Sequence, residues 1–90
     1  MSREQVYSIV FTRSSEKQFS ALPARTKNEV ALVLEDIARA PLTGKPLQGA
    51  LKSLRSTRVG RFRIVYRQVK SELIIVAIHI NHRKNVYKPR

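Results

Sequence analysis

The chain has 90 residues and a net charge of +12, from 18 lysines and arginines against six acidic side chains. That length supports one small domain, burying roughly 60–70% of its unfolded surface, and we expect it to run over residues 1–90. The absence of cysteine excludes a disulfide framework and a thiolate metal site, and the longest uncharged apolar stretch, Leu73 to Ile80, falls short of the ~20 residues that cross a bilayer.

The opening segment, MSREQVYSIV, carries charge early and has no apolar run of the signal-peptide kind, so a cytoplasmic location is expected. Val6 to Phe11 is short, β-branched and aromatic and reads as a strand. Ser14 or Ser15 can cap a following helix, with Gln18 at capping-box spacing from Ser15, and that helix ends near Leu22. Pro23 suits the first turn of a second helix, where its missing N–H costs nothing. There Val30, Val33, Leu34 and Ile37 fall at i, i+3, i+4 and i+7 and make one apolar stripe. Leu32 lies off the stripe, free to meet the first helix or a partner. Pro41 stops the helix, and LTGKPLQGALKS reads as a loop from its prolines and glycines.

Three strands follow, at about Leu54–Val59, Arg61–Val69 and Glu72–Asn81. Gly60 separates the first two, and Lys70-Ser71 is short enough for a tight hairpin. Arg61, Arg63 and Arg67 share one parity while Phe62, Ile64 and Tyr66 share the other, so the middle strand buries one face and presents guanidinium groups on the other. The expected fold is α+β: an N-terminal strand, a two-helix hairpin, then three antiparallel strands forming a small sheet with the helices on one face. The opposite face carries the arginines.

Charge is segregated along the chain. Residues 1–44 hold six basic and five acidic side chains; residues 45–90 hold twelve basic ones and a single acid, Glu72. A field of one sign calls for a polyanionic or an acidic protein partner. Two histidines without a carboxylate cluster, His79 and His82, do not make a metal site, and no cofactor is expected.

Four segments, in order and spanning nearly the whole length, carry a resemblance: the opening YSIVFTRSSEKQFSALP, the loop PLTGKPLQGALKSL, the central RVGRFRIVY and the closing HRKNVY. In these the chain resembles the RelE/ParE superfamily of toxins from prokaryotic toxin–antitoxin pairs, and most of all RelE-type mRNA interferases. The resemblance implies a RelE-like domain and a ribosome-dependent, metal-independent endoribonuclease that cuts mRNA in the ribosomal A site by attack of the 2′-hydroxyl, inhibiting translation. The alternative it carries is a ParE-type inhibitor of DNA gyrase that binds its target protein and has no nuclease activity. A third is a member retained only as an antitoxin-binding or RNA-binding module.

RelE-type members keep two basic side chains on the first strand of the C-terminal sheet, an arginine on the next, and an arginine and a tyrosine near the C-terminus. By that pattern Arg63 matches the second-strand arginine, Arg83 the later arginine and Tyr87 the tyrosine. Arg58 matches one of the first-strand pair; the other position falls near Ser56, with Arg55 and Lys52 as neighbours. His82, beside Arg83, belongs to a histidine–arginine pair common in the superfamily and is a candidate acid or base. Expected catalytic residues are therefore Arg63, Arg83, Arg58, Tyr87 and His82. Lys52, Arg55, Arg61, Arg67, Lys84 and Lys88 form the expected set for ribosomal RNA and the mRNA backbone, making strong, salt-dependent contacts blind to sequence. The implied partners are the ribosome with its mRNA and a small acidic RelB-like antitoxin, in a heterodimer or heterotetramer. DNA would be met only through the antitoxin, and a membrane is not among the partners.

Cleavage of RNA by its own 2′-hydroxyl needs a base for the hydroxyl proton, cations for the pentacoordinate phosphorane and an acid for the departing 5′-oxygen. Arginine stays protonated, so it is a poor base and a good bidentate clamp for phosphate. A site built on arginine therefore leans on electrostatics and on external placement of the substrate, a role the ribosome can fill.

Overall fold

A computed structural model of the chain describes residues 6–47, 49 and 53–82. The elements in chain order are β1 (Ser8–Phe11), α1 (Arg13–Ser20), α2 (Ala24–Arg39), β2 (Lys45–Pro46), β3 (Arg55–Val59), β4 (Phe62–Val69) and β5 (Ile74–His82). The strands form one sheet in the order β1-β5-β4-β3-β2. β1 runs parallel to β5, and the other neighbours pair antiparallel. The α+β arrangement read from the sequence is the one observed.

The apolar stripe of α2 does what its spacing requires. Val30, Leu34 and Ile37 are buried, Val33 is half-buried, and they pack with Ile64, Tyr66, Ile75, Ala77 and Ile80 of the sheet. Leu32, off the stripe, is 62% exposed. On the helix-facing side of β4 lie Phe62, Ile64 and Tyr66; Arg63, Val65 and Arg67 take the other face, as their parity predicts.

Local chemistry departs from the sequence reading at four places. Thr12, rather than Ser14 or Ser15, caps α1: its side chain accepts the Ser15 N–H at 3.0 Å. Ser15 is instead fully buried within the helix and donates its hydroxyl to the Ala77 carbonyl at 2.6 Å. Gln18 does not fold back on the cap; its Oε1 accepts the Ile80 N–H at 2.8 Å. The segment read as a loop holds a 3-10 turn, Pro41–Thr43, and the short edge strand β2, where Pro46 is tolerated because an edge strand can spare a donor. Lys70-Ser71 does not make a two-residue hairpin. A 3-10 turn at Lys70–Glu72 and Leu73 in the left-handed region (φ 55°) join β4 to β5. Finally, Arg61 leaves the strand for the β3–β4 turn beside Gly60, whose φ of +60° suits the first central position of a two-residue hairpin loop.

The irregularity that most shapes the open face is in β5. Val65 pairs with His79 and Tyr66 with Ala77, so Ile78 is an extra residue, a bulge. Ala77 and Ile80, three apart, thus both face the core, and His79 and Asn81 turn to the open face opposite Val65 and Arg63.

Candidate functional site

Paired residues of neighbouring strands share a face, and on the face away from the helices they form two rows. One row is Lys45–Ser56–Val65–His79, from β2 to β5; the next is Arg58–Arg63–Asn81. A cleft of about 510 Å³ opens over part of these rows, lined by Thr43, Gly44, Lys45, Ser56, Thr57, Arg58 and Arg63. Three of its lining residues are cations and none is an acid. Arg58 and Arg63 face each other across the β3–β4 pair, a spacing of roughly 4.5–5.5 Å between Cβ atoms. Two guanidinium groups so placed can grip one phosphate from two sides. A hollow of similar size, about 530 Å³, lies against α1 between Arg13, Glu16, Lys17, Ser20 and Ala21. Its charges are mixed, whereas those of the sheet cleft converge with one sign, which is what an anion site requires.

The rim of the cleft is fixed from below by Tyr66, which is fully buried. Its hydroxyl donates to the Pro41 carbonyl at 2.7 Å and accepts the Gly44 N–H at 2.9 Å. Arg55 adds a third tie, from its Nη1 to the Gly44 carbonyl at 2.7 Å. A Cβ at position 44 would come within 2.7 Å of the Tyr66 hydroxyl and 2.8 Å of the Ser56 carbonyl, so only glycine lets the loop approach this closely. Burial pushes the Tyr66 phenol above its ordinary value of 10.0, while the Gly44 N–H and the Arg55 charge pull it partly back. It stays protonated near neutral pH as a latch.

The expected site residues fall in several places. Arg58 and Arg63 meet in the cleft. Arg67 is exposed on the same face, beyond Val65, and Arg61 is exposed at the β3–β4 turn. Arg55 is half-buried and engaged with the loop carbonyl. His82 pairs with Phe62 and meets its ring edge-on at 5.7 Å, on the face opposite the cleft. Lys52, Arg83, Lys84, Tyr87 and Lys88 lie outside the described residues.

Sequence reasoning passed over Lys45, placed in a loop, and Asn81, whose face depends on the bulge. His79, turned outward by the bulge, is exposed on the same face. Pro46 beside Lys45 was the available hint of an edge strand; nothing local marks Ile78 as a bulge. Among the described residues no cluster of histidines and acids could hold a metal, and no helix is long and apolar enough to cross a membrane.

Known proteins share this architecture and sequence. Residues 9–87 match the family model described as the ParE toxin of type II toxin–antitoxin systems. The chain is 32% identical over 87 residues to Toxin RelG of Mycobacterium tuberculosis, covering 91% of this chain and 97% of the relative. It superposes with a TM-score of 0.78 on a chain of the RelBE2 toxin–antitoxin complex of the same organism, at 31% identity over 87% of this chain and 99% of that one. The isolated RelE toxin of E. coli aligns with a TM-score of 0.77 over 84% of this chain and 83% of that chain; at 15% identity it shares the fold alone. Set beside the strand order and the basic open face, these matches make the chain a member of the RelE/ParE superfamily, a toxin of a type II toxin–antitoxin system.

Proposed function

We propose that the chain is a RelE-type mRNA interferase, a cytoplasmic endoribonuclease that cuts mRNA in the ribosomal A site. The observation that carries this reading is the facing pair Arg58–Arg63 on the open face of the sheet, in a cleft lined by cations and no acid. In the reaction the 2′-oxygen of one nucleotide bonds to the adjacent phosphorus as the bond from phosphorus to the 5′-oxygen breaks. One proton leaves the 2′-hydroxyl and one reaches the departing oxygen, giving a 2′,3′-cyclic phosphate and a 5′-hydroxyl. Arg58 and Arg63 bind the phosphorane oxygens, where charge develops. Neither can act as a base, so the pair contributes charge and placement, and the reaction depends on the ribosome to align the message. Arg83 and Tyr87 remain candidates for the other roles, whereas His82 sits on the face opposite the cleft against Phe62 and is not assigned one; Lys52, Arg61, Arg67, Lys84 and Lys88 are candidates for docking to RNA. A RelB-like acidic antitoxin is the natural inhibitor; the relative in the RelBE2 complex is held with an antitoxin, and occlusion of the basic face would silence it.

One observation favours a ParE-type gyrase inhibitor instead: the family model that matches is the ParE toxin. Brief expression in bacteria separates the two. The nuclease reading expects translation arrest with cut mRNA, relieved in Arg58→Ala; DNA damage with intact mRNA would replace it by the gyrase reading.

A further inference from the structure

We propose that Lys45, on the edge strand β2, is a third phosphate-contacting residue of the cleft and supplies the positive charge that β3 lacks at Ser56. This deepens the nuclease reading above and rests on it for the role of the phosphate. Lys45 pairs directly with Ser56 and lines the same cleft as Arg58 and Arg63. Directly opposed residues share a face with Cβ atoms about 4.5–5.5 Å apart, and diagonal neighbours lie about 7–8 Å apart, within reach of long side chains. Arg58 is the diagonal neighbour of Lys45, two residues past Ser56 on the same face. The three cations thus border a floor made by the short side chain of Ser56, whose size leaves the space above it to the lysine.

Two further observations separate Lys45 from an ordinary surface lysine. The backbone just before it is held from below: the buried Tyr66 and the half-buried Arg55 together engage the Pro41 carbonyl and both polar atoms of Gly44. A side chain on a loop tied down in this way needs little further ordering when a ligand arrives. In addition, the lining of the cleft includes no carboxylate to neutralise three converging cations. A lining that carries charge of one sign favours an anionic ligand over a cationic or neutral one.

The test uses the full-length protein in two arms. In the first, ribosomes holding a message with a vacant A site are treated with excess wild type, Lys45→Ala, Lys45→Arg, the double variant Lys45→Ala/Ser56→Lys, or Lys70→Ala as a control at the far end of β4. Lys45→Ala is expected to slow cleavage about 10²-fold, as loss of one transition-state donor does. Lys45→Arg keeps the charge and stays within about tenfold of wild type. The double variant, which carries the lysine one strand inward, recovers about tenfold over Lys45→Ala. Ser56 is buried, so if the double variant does not fold, Lys45→Arg serves alone as the rescue. The second arm reads the affinity of a dye-labelled single-stranded RNA oligomer against salt. Losing one phosphate contact flattens the slope of log K on log salt by about 0.7, expected for Lys45→Ala and not for Lys70→Ala. An unchanged slope, or undiminished cleavage by Lys45→Ala where wild type cleaves, overturns the assignment. A wild type that leaves the message intact while the Lys45→Ala slope shifts defeats the nuclease reading and leaves the phosphate contact standing.

Discussion

Arg55 and Arg58 lie three residues apart on β3 and therefore face opposite sides of the sheet. Arg55 spends its guanidinium on the Gly44 carbonyl; Arg58 is exposed above the cleft. Their alanine variants should part accordingly. Arg55→Ala removes a charge-assisted hydrogen bond and is expected to lower unfolding free energy by ~1–2 kcal/mol in urea. Arg58→Ala should leave stability within ~0.5 kcal/mol yet slow mRNA cleavage by about 10²-fold. Equal effects of the two on cleavage, after correction for folding, would contradict this division. Tyr66 offers a second test. Its phenol is raised in the folded chain, so the folded state holds its proton at pH values where the unfolded chain, with a value near 10.0, has lost it. The stability it contributes is full below pH 10 and is lost as pH rises above it. Tyr66→Phe, which keeps the ring and leaves the Gly44 N–H unpaired, should be less stable by ~1–3 kcal/mol at neutral pH. The gap to wild type should hold up to about pH 10 and shrink as pH rises beyond it; a constant gap in denaturant melts would rule this out.

Among the elements, α1 acts on β5 through polar side chains. β1 pairs with β5 only as far as Ala77, and beyond that point the exposed edge of β5 is satisfied by Ser15 and Gln18. Gln18→Leu leaves the Ile80 N–H without its acceptor and should cost ~1–3 kcal/mol, with faster hydrogen exchange at Ile80 than at Ile64; unchanged exchange at Ile80 would contradict it. Helix α2 and the faces of β4 were legible in the sequence because periodicity and burial agree over many residues. The cap, the bulge and β2 were not. Several hydroxyls near the start of α1 fit a cap locally, and Ser15 was drawn inside by a carbonyl 62 residues away. The same holds for the site. Parity put Arg63 and Arg67 on the open face, but Lys45 came to line the same cleft as Arg58 and Arg63 only through a cross-strand register with no local signature.

On the scale of the molecule, the described strands carry no carboxylate at all, and the described acids lie on α1, α2 and the turn after β4: Glu16, Glu29, Glu35, Asp36 and Glu72. Positive charge is thereby gathered on the sheet face away from the helices, where a polyanion or an acidic inhibitor would compete for the same surface. The measurement that tests this most directly is the mapping of mRNA ends after wild-type protein is added to ribosomes stalled with a vacant A site. Cuts are expected within the A-site codon, ending in a 2′,3′-cyclic phosphate, and they vanish when Arg58 and Arg63 are both replaced by alanine in a protein that still folds. A message left intact by wild type, or cut equally well by the double variant, would contradict that expectation.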